Sequence, residues 1–198
     1  MNPTLIIVII ATLFVIIFVG TGIKVIQQAQ TMIVERLGKY DRTLESGISI
    51  VIPIFDKTRD IYWRYRQTDV SGASVVIQKL ADRIDLREQV YDFPRQNVIT
   101  KDNVTIEIDA MLYFQITDSV RATYEIANLP NAIEKLTQTT LRNVIGELDL
   151  DECLVSRDLV NTKLRGILDE ATDKWGVKVN RVELQDITPP HDIQKAME

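Results

Sequence analysis

The sequence predicts an α+β domain carried behind one apolar N-terminal helix. Three observations lead there. The run from Leu5 to Ile23 contains no charged residue. From Val104 to Thr117 apolar and polar residues alternate with a period of two, the signature of a strand with one buried face. Between Pro130 and Trp175 apolar residues return at spacings of three and four, the signature of amphipathic helices. Strands come first, helices follow and a last strand closes the order, which is an α+β arrangement with a mixed or antiparallel sheet rather than repeated βαβ units. A chain of 198 residues suffices for one sizeable domain with an appendage.

The apolar run comes first. As a helix, its roughly 19 residues would span ~30 Å, the thickness of a bilayer's hydrocarbon core. A helix satisfies its own backbone in lipid, whereas the same surface in water would drive aggregation. A cleaved signal peptide calls for a basic segment ahead of the run, and no Lys or Arg precedes it, although Gly20-Thr21-Gly22 offers small residues for cleavage. A re-entrant hairpin needs an internal break, and Pro3 lies outside the run. The expectation is a single-pass signal anchor over residues 1–25, with Leu5, Ile9, Leu13, Phe14, Ile17, Phe18 and Ile23 as its anchor residues. Lys24, Arg36, Lys39 and Arg42 follow the run and residues 1–4 carry no positive charge, so the folded domain is expected on the cytoplasmic side of the cell membrane.

Beyond a polar exit at Gln27-Gln28-Ala29-Gln30, Met32 to Val34 reads as a strand that ends in Glu35-Arg36 before Gly38. Ile48 to Ile52 reads as an apolar strand stopped by Pro53. Asp56 to Asp60 reads as a charged loop, and Ile61 to Tyr65 as another strand. Ser71-Gly72-Ala73-Ser74 marks a turn or loop. Ile84 to Phe93 has strand character and is expected to end at Pro94, with a polar turn at Thr100 to Asn103. The alternating segment follows, with Val104, Ile106, Ile108, Ala110, Leu112, Phe114 and Ile116 facing the core. Asp118 caps a short helix reaching Ala127. Pro130 starts a second helix whose stripe is Ile133, Leu136, Leu141, Val144, Ile145 and Leu148. A third, from Ser156 to Trp175, turns Val160, Leu164, Ile167, Leu168, Ala171 and Trp175 inward and stops at Gly176. Lys178 to Asp186 is the last strand, and residues 191–198 start a helix that is not continued.

The search for chemistry is short. Net charge is -5 and the pI is about 5.0, which argues against non-specific nucleic-acid binding. Cys153 is the one cysteine, so neither an internal disulfide nor a CxxC metal or redox pair exists; it reads as a half-buried packing residue. His191 is the one histidine and stands in no catalytic motif. GxGxxG, GxxxxGK[ST] and HExxH are absent. Glu107 and Asp109 share a strand face but read as solvated charges. Lys101-Asp102-Asn103 reads as a turn that needs no ligand. Trp63, Tyr62 and Tyr65 with Arg64 and Arg66 resemble a stacking platform, yet beside an anchor they read as a strand or a membrane-interface cluster. No catalytic, cofactor or metal site is expected, and nucleic acid is not an expected partner.

Several stretches together resemble the SPFH or band 7 family, which takes in stomatin, prohibitin, flotillin and bacterial HflK/C. They are Val34-Glu35-Arg36-Leu37-Gly38-Lys39-Tyr40, Gly47 through Pro53, Asp85-Leu86-Arg87-Glu88, Thr100-Lys101-Asp102-Asn103-Val104 and Tyr113 through Asp118. The most specific are Leu141-Arg142 to Leu154, with Gly146-Glu147-Leu148 inside, and Leu168-Asp169-Glu170-Ala171-Thr172 to Pro190. The chain looks most similar to bacterial stomatin-like members of the QmcA and paraslipin kind. The resemblance implies a band 7 domain over residues 26–190 on a membrane anchor. It implies a non-enzymatic scaffold that forms homo-oligomers and organises membrane microdomains, or else a regulator of a membrane protease or NfeD-type partner. Two departures stand out. Gln67 to Lys79 looks like an insertion, and the chain stops where the family's coiled coil begins, so weaker self-association is expected.

Overall fold

The computed structural model describes residues 20–68 and 74–190, together with Thr4, Ile9, Ile10, Thr12, Leu13 and Phe18. The chain divides into two compact units, Met1–Ile61 with Gln78–Leu86, and Tyr62–Ile77 with Arg87–Glu198.

The first unit is built on short strands. β1 (Ile23–Ile26) pairs antiparallel with β4 (Gly47–Ile50) as a two-stranded ribbon. β2 (Gln30–Arg36) is the centre of a separate sheet. β3 (Lys39–Leu44) lies on one side of it, while β5 (Asp56–Thr58) pairs with its last residues and β8 (Ile84–Asp85) with its first. The β2–β3 hairpin closes with a two-residue loop in which Leu37 (φ 52) and Gly38 (φ 85) are both left-handed. That twist suits the flanking strands, as in hairpins that usually carry Asn-Gly there. Ile26, Met32, Val34, Leu44 and Val51 form the core cluster.

The second unit is a three-stranded antiparallel sheet with helices on one face. β10 (Thr105–Ile116) runs between β9 (Gln89–Ile99) and β11 (Val177–Thr188). Its alternation holds over the whole strand: Ile106, Ile108, Ala110, Leu112, Phe114 and Ile116 are all buried. The helices are α1 (Ser119–Tyr124), α2 (Leu129–Gly146), α3 (Leu150–Val155) and α4 (Arg157–Asp173). α2 packs on β9 and on α4, and α4 packs on β11. Tyr91 meets Phe114 edge to face at 4.7 Å between ring centroids.

The helix ends follow the expected chemistry. Asp118 caps α1 by accepting from the Val120 and Arg121 N–H groups at 2.9 and 3.0 Å. Asn128 caps α2 ahead of Pro130. Glu152 accepts from the Asp149 N–H at 3.1 Å at the start of α3. Gly176, at φ +67, follows α4, and its carbonyl accepts from the Thr117 and Asp118 N–H groups.

Several boundaries differ from the sequence reading. β9 runs through Pro94 instead of ending there. Between the pairs Ile108–Gln96 and Ala110–Phe93, one residue of β10 faces two of β9, so Pro94 sits in a bulge where no ladder N–H is needed. The stretch read as one strand from Ile84 is two, β8 and β9. Asp56–Thr58, read as loop, is β5, a three-residue strand recruited by its neighbour β2. β3 and α3 are elements that polar composition and short length concealed. The apparent insertion contributes β7 (Ser74–Ala81), which pairs with β6 (Ile61–Thr68), while the turn read at Ser71–Ser74 falls largely outside the described residues. Ile167, expected inward on α4, is exposed.

Candidate functional site

The β1–β4 register sets Ile23 opposite Ile50 and Val25 opposite Ile48. Side chains two apart on a strand share a face, so these four form one apolar patch of two cross-strand pairs. Their exposures run from 45% to 77%, while Ile26, on the other face, is buried. The row of isoleucines extends beyond β4 through Ile52 and Ile54, both exposed, and Val51, between Ile50 and Ile52, is buried in the core. A ribbon that turns its apolar pairs outward calls for a surface to cover them.

The patch begins where the apolar run ends. The Val51 N–H donates to the Gly22 carbonyl at 2.8 Å. A Cβ on Gly22 would stand 2.7 Å from the Val51 carbonyl oxygen, so only glycine allows this approach.

A charge cluster holds the next turn in place. The Asp56 carboxylate is fully buried. It accepts from Arg36 Nε at 2.7 Å and Nη2 at 3.2 Å, from Arg42 Nη2 at 3.3 Å, and from the Ile52 N–H at 3.1 Å. The Arg36 hydrogen bonds, aided by the Ile52 N–H and the charge of Arg42, outweigh desolvation and pull the Asp56 carboxyl down to about 2. Arg42 also donates to the Ile50 carbonyl at 2.9 Å. The hairpin tip and the turn are joined directly as well, since the Leu37 N–H donates to the Phe55 carbonyl at 3.1 Å.

Of the expected anchor residues, Leu5, Phe14 and Ile17 lie outside the described residues. Ile9, Leu13 and Phe18 are helical, and Ile9 and Leu13 are exposed. No helix among the described residues is long and apolar enough to cross a membrane. Ile23 needs correction. It opens β1 rather than closing the helix, because the close contact of Gly22 with Val51 turns the chain into the ribbon at that point. The anchor boundary expected at residue 25 therefore meets a strand already two residues old.

The other sequence candidates have structural roles. Asp102 accepts from the Thr100 hydroxyl and the Leu150 N–H, tying the polar turn to the start of α3, and these bonds hold its carboxyl below the usual range. Asp109 accepts from the Asp186 N–H at 2.8 Å, whereas Glu107 is exposed, so the two carboxylates do not act as a pair. Cys153 is fully buried rather than half-buried, and burial, with Asp102, Glu152 and Asp149 nearby, pushes its thiol up to about 11. Trp63 is a core residue; His191 and the side chains of Arg64, Tyr65 and Arg66 lie outside the described residues. An open cleft of about 520 Å³ lies beside β9 and α2, lined by Ile99, Arg142, Gly146 and Glu147 among others. No cluster of three metal-ligating side chains occurs among the described residues.

Sequence reasoning read Ile48 to Ile52 as an apolar strand stopped by Pro53 but did not tell which face its isoleucines would take. It passed over Leu37, although a leucine in a tight hairpin loop, where Asn is the usual choice, is itself a signal.

This α+β architecture is that of a band 7 domain. The SPFH domain / Band 7 family matches residues 24–198, and the chain belongs to that family. It is 43% identical over 189 residues to an uncharacterised protein of Mycobacterium tuberculosis, covering 96% of this chain and 44% of the relative. It is 39% identical over 188 residues to a stomatin homolog of Pyrococcus horikoshii, covering 95% of this chain and 62% of that protein. An uncharacterised protein of Methanothermobacter thermautotrophicus is 41% identical over 188 residues, with 52% of its length covered. The chain thus spans about half the length of the curated relatives it matches. The family supports a membrane-associated scaffold role in general terms.

Proposed function

We infer that the chain is a non-enzymatic, membrane-anchored scaffold that self-associates and organises membrane microdomains or membrane protein complexes. One observation carries the reading: the outward apolar pairs Ile23–Ile50 and Val25–Ile48 begin directly at the end of the uncharged run. Patches of this kind mark interaction surfaces, and this one is tethered where a bilayer would be. The run itself supplies a single-pass anchor, and the positive charges after it favour a cytoplasmic domain.

The experiment has two readouts on the full chain expressed in bacteria. Alkaline carbonate should leave the protein in the membrane pellet, and Val15→Arg with Ile16→Asp should release it, since a charge at mid-span costs ~2.5–3.5 kcal/mol on insertion scales. Cross-linking in native membranes should capture copies of the chain joined to each other. Release of the unaltered protein by carbonate refutes the anchor. Recovery of single copies, each joined stoichiometrically to a membrane protease or an NfeD-type protein, replaces the scaffold with a regulatory subunit.

A further inference from the structure

We propose that the cleft between β9 and the C-terminal turn of α2 is a docking site for an extended segment of a partner protein, which adds to the free edge of β9 as a short strand and sets an acidic side chain against Arg142. The proposal goes beyond the scaffold reading and does not depend on the anchor.

The first observation is an unused strand edge. Among the described residues β9 pairs only with β10. The Thr100 N–H donates to the Val104 carbonyl at 2.9 Å, so Thr100 aims its backbone toward β10. Backbone groups in an antiparallel ladder change direction at each residue. Val98, opposite Ile106, therefore also aims at β10. Asn97 and Ile99, opposite Glu107 and Thr105, turn their N–H and C=O groups outward. No described residue outside the strand ladder bonds to either backbone. Exposed edges are usually blocked by proline, lysine or a bulge. The bulge at Pro94 lies before this point, and Asn97 to Ile99 carries neither proline nor lysine.

The second observation is a glycine that neither packing nor conformation demands. Gly146 is the last residue of α2, and a Cβ there would stand 3.7 Å from the Ile99 carbonyl oxygen, an ordinary contact. Its backbone is not left-handed. Glycine lowers helix stability relative to alanine. What its bare Cα does here is leave the outward carbonyl of Ile99 uncovered.

The third observation is charge. Two charged side chains line the cleft, Arg142 and Glu147. Glu147 is joined to Lys163, whereas Arg142 has no charged partner among the described residues. Arg142 stands one helical turn before Gly146, on the same face. The cleft thus holds one unbalanced guanidinium, the complement of a carboxylate. Successive side chains of an added strand point to opposite faces of the sheet. One set would face α2 and Arg142, and the other would lie beside Asn97 and exposed Ile99. The cleft volume, about 520 Å³, falls within the roughly 300–1,000 Å³ of ligand clefts. Past Ile99 the Lys101 N–H donates to the Leu148 carbonyl and closes the cleft, so the added strand is short. Strand addition of this kind takes its affinity from the main chain and its specificity from alternate side chains.

The test uses the full chain in detergent micelles and rhodamine-labelled hexapeptides of alternating valine and threonine, amidated at the C-terminus, with one central residue replaced by glutamate or glutamine. Fluorescence polarisation reads affinity, and hydrogen exchange resolved by fragmentation mass spectrometry reads position.

Without peptide, the Asn97 and Ile99 amides should exchange far faster than that of Val98. The glutamate peptide should slow both, and the glutamine peptide should bind about tenfold more weakly, as the loss of one charge-assisted contact implies. Arg142→Gln should bind the two peptides equally. Gly146→Ala should weaken both while the melting temperature holds or rises, an outcome that a glycine kept for packing would not give. If Asn97 and Ile99 exchange as slowly as Val98 without peptide, the edge is not free and the proposal is wrong. Failure of both peptides to bind at millimolar concentration overturns it, as does binding that Gly146→Ala leaves unchanged. Protection of Asn97 and Ile99 that grows with protein concentration in the absence of peptide gives the edge to a second copy and removes the partner segment.

Discussion

Asp56 carries more of the first unit's geometry than its size suggests, because two arginine side chains and one backbone N–H converge on a single carboxylate. Its carboxyl lies at about 2, below the ordinary 3.8, so its contribution to stability is complete above the ordinary value and disappears as pH falls from there through about 2. Asp56→Asn should therefore melt well below the unaltered protein at neutral pH, with the gap closing as the pH approaches 2; thermal unfolding followed by circular dichroism across that range checks it. A gap that stays constant with pH would assign the loss to packing rather than charge. Cys153 behaves oppositely. Burial and three nearby carboxylates disfavour its thiolate, so Ellman's reagent at mildly alkaline pH should leave it unmodified until the chain is unfolded. The Asp118 cap was legible in sequence because it depends on the next three residues alone. The partners of Asp56 come from β2, β3 and the turn before β5, and no local pattern announces that meeting.

At the level of elements, β10 was legible throughout and β11 nearly so, while the bounds of β9 were not. One face on helices and one face open impose alternation over twelve residues, and a pattern that long survives any local noise. Ile108 is fully buried while Thr105 is exposed. Ile108→Asp should cost several kcal/mol and Thr105→Asp about 0.5 kcal/mol or less, as read from denaturant midpoints. Gly176 gives a second test. A Cβ there would fall 2.5 Å from the Asp118 carbonyl oxygen in a left-handed backbone, so Gly176→Ala should destabilise by about 1–3 kcal/mol. Strands such as β3 and β5 escaped notice for a physical reason. They are short and polar and exist because β2 offers them a ladder, which is a long-range fact. The outward face of β4 was hidden in the same way. Ile48 to Ile52 is apolar on every second position, and only its pairing with β1 decides that those positions face out.

At the scale of the whole molecule, the apolar run and the ribbon share a junction without a linker. Gly22 is the last residue before β1, and its carbonyl is already bonded to Val51. A spanning helix adjusts to bilayer thickness by tilting, at fractions of a kcal/mol per Å of mismatch. Here Gly22 is hydrogen-bonded into the ribbon, so under the anchor proposed above a thicker or thinner membrane would tip the ribbon with the run. The first unit would then act as a needle on a gauge, reporting the thickness of the lipid around it.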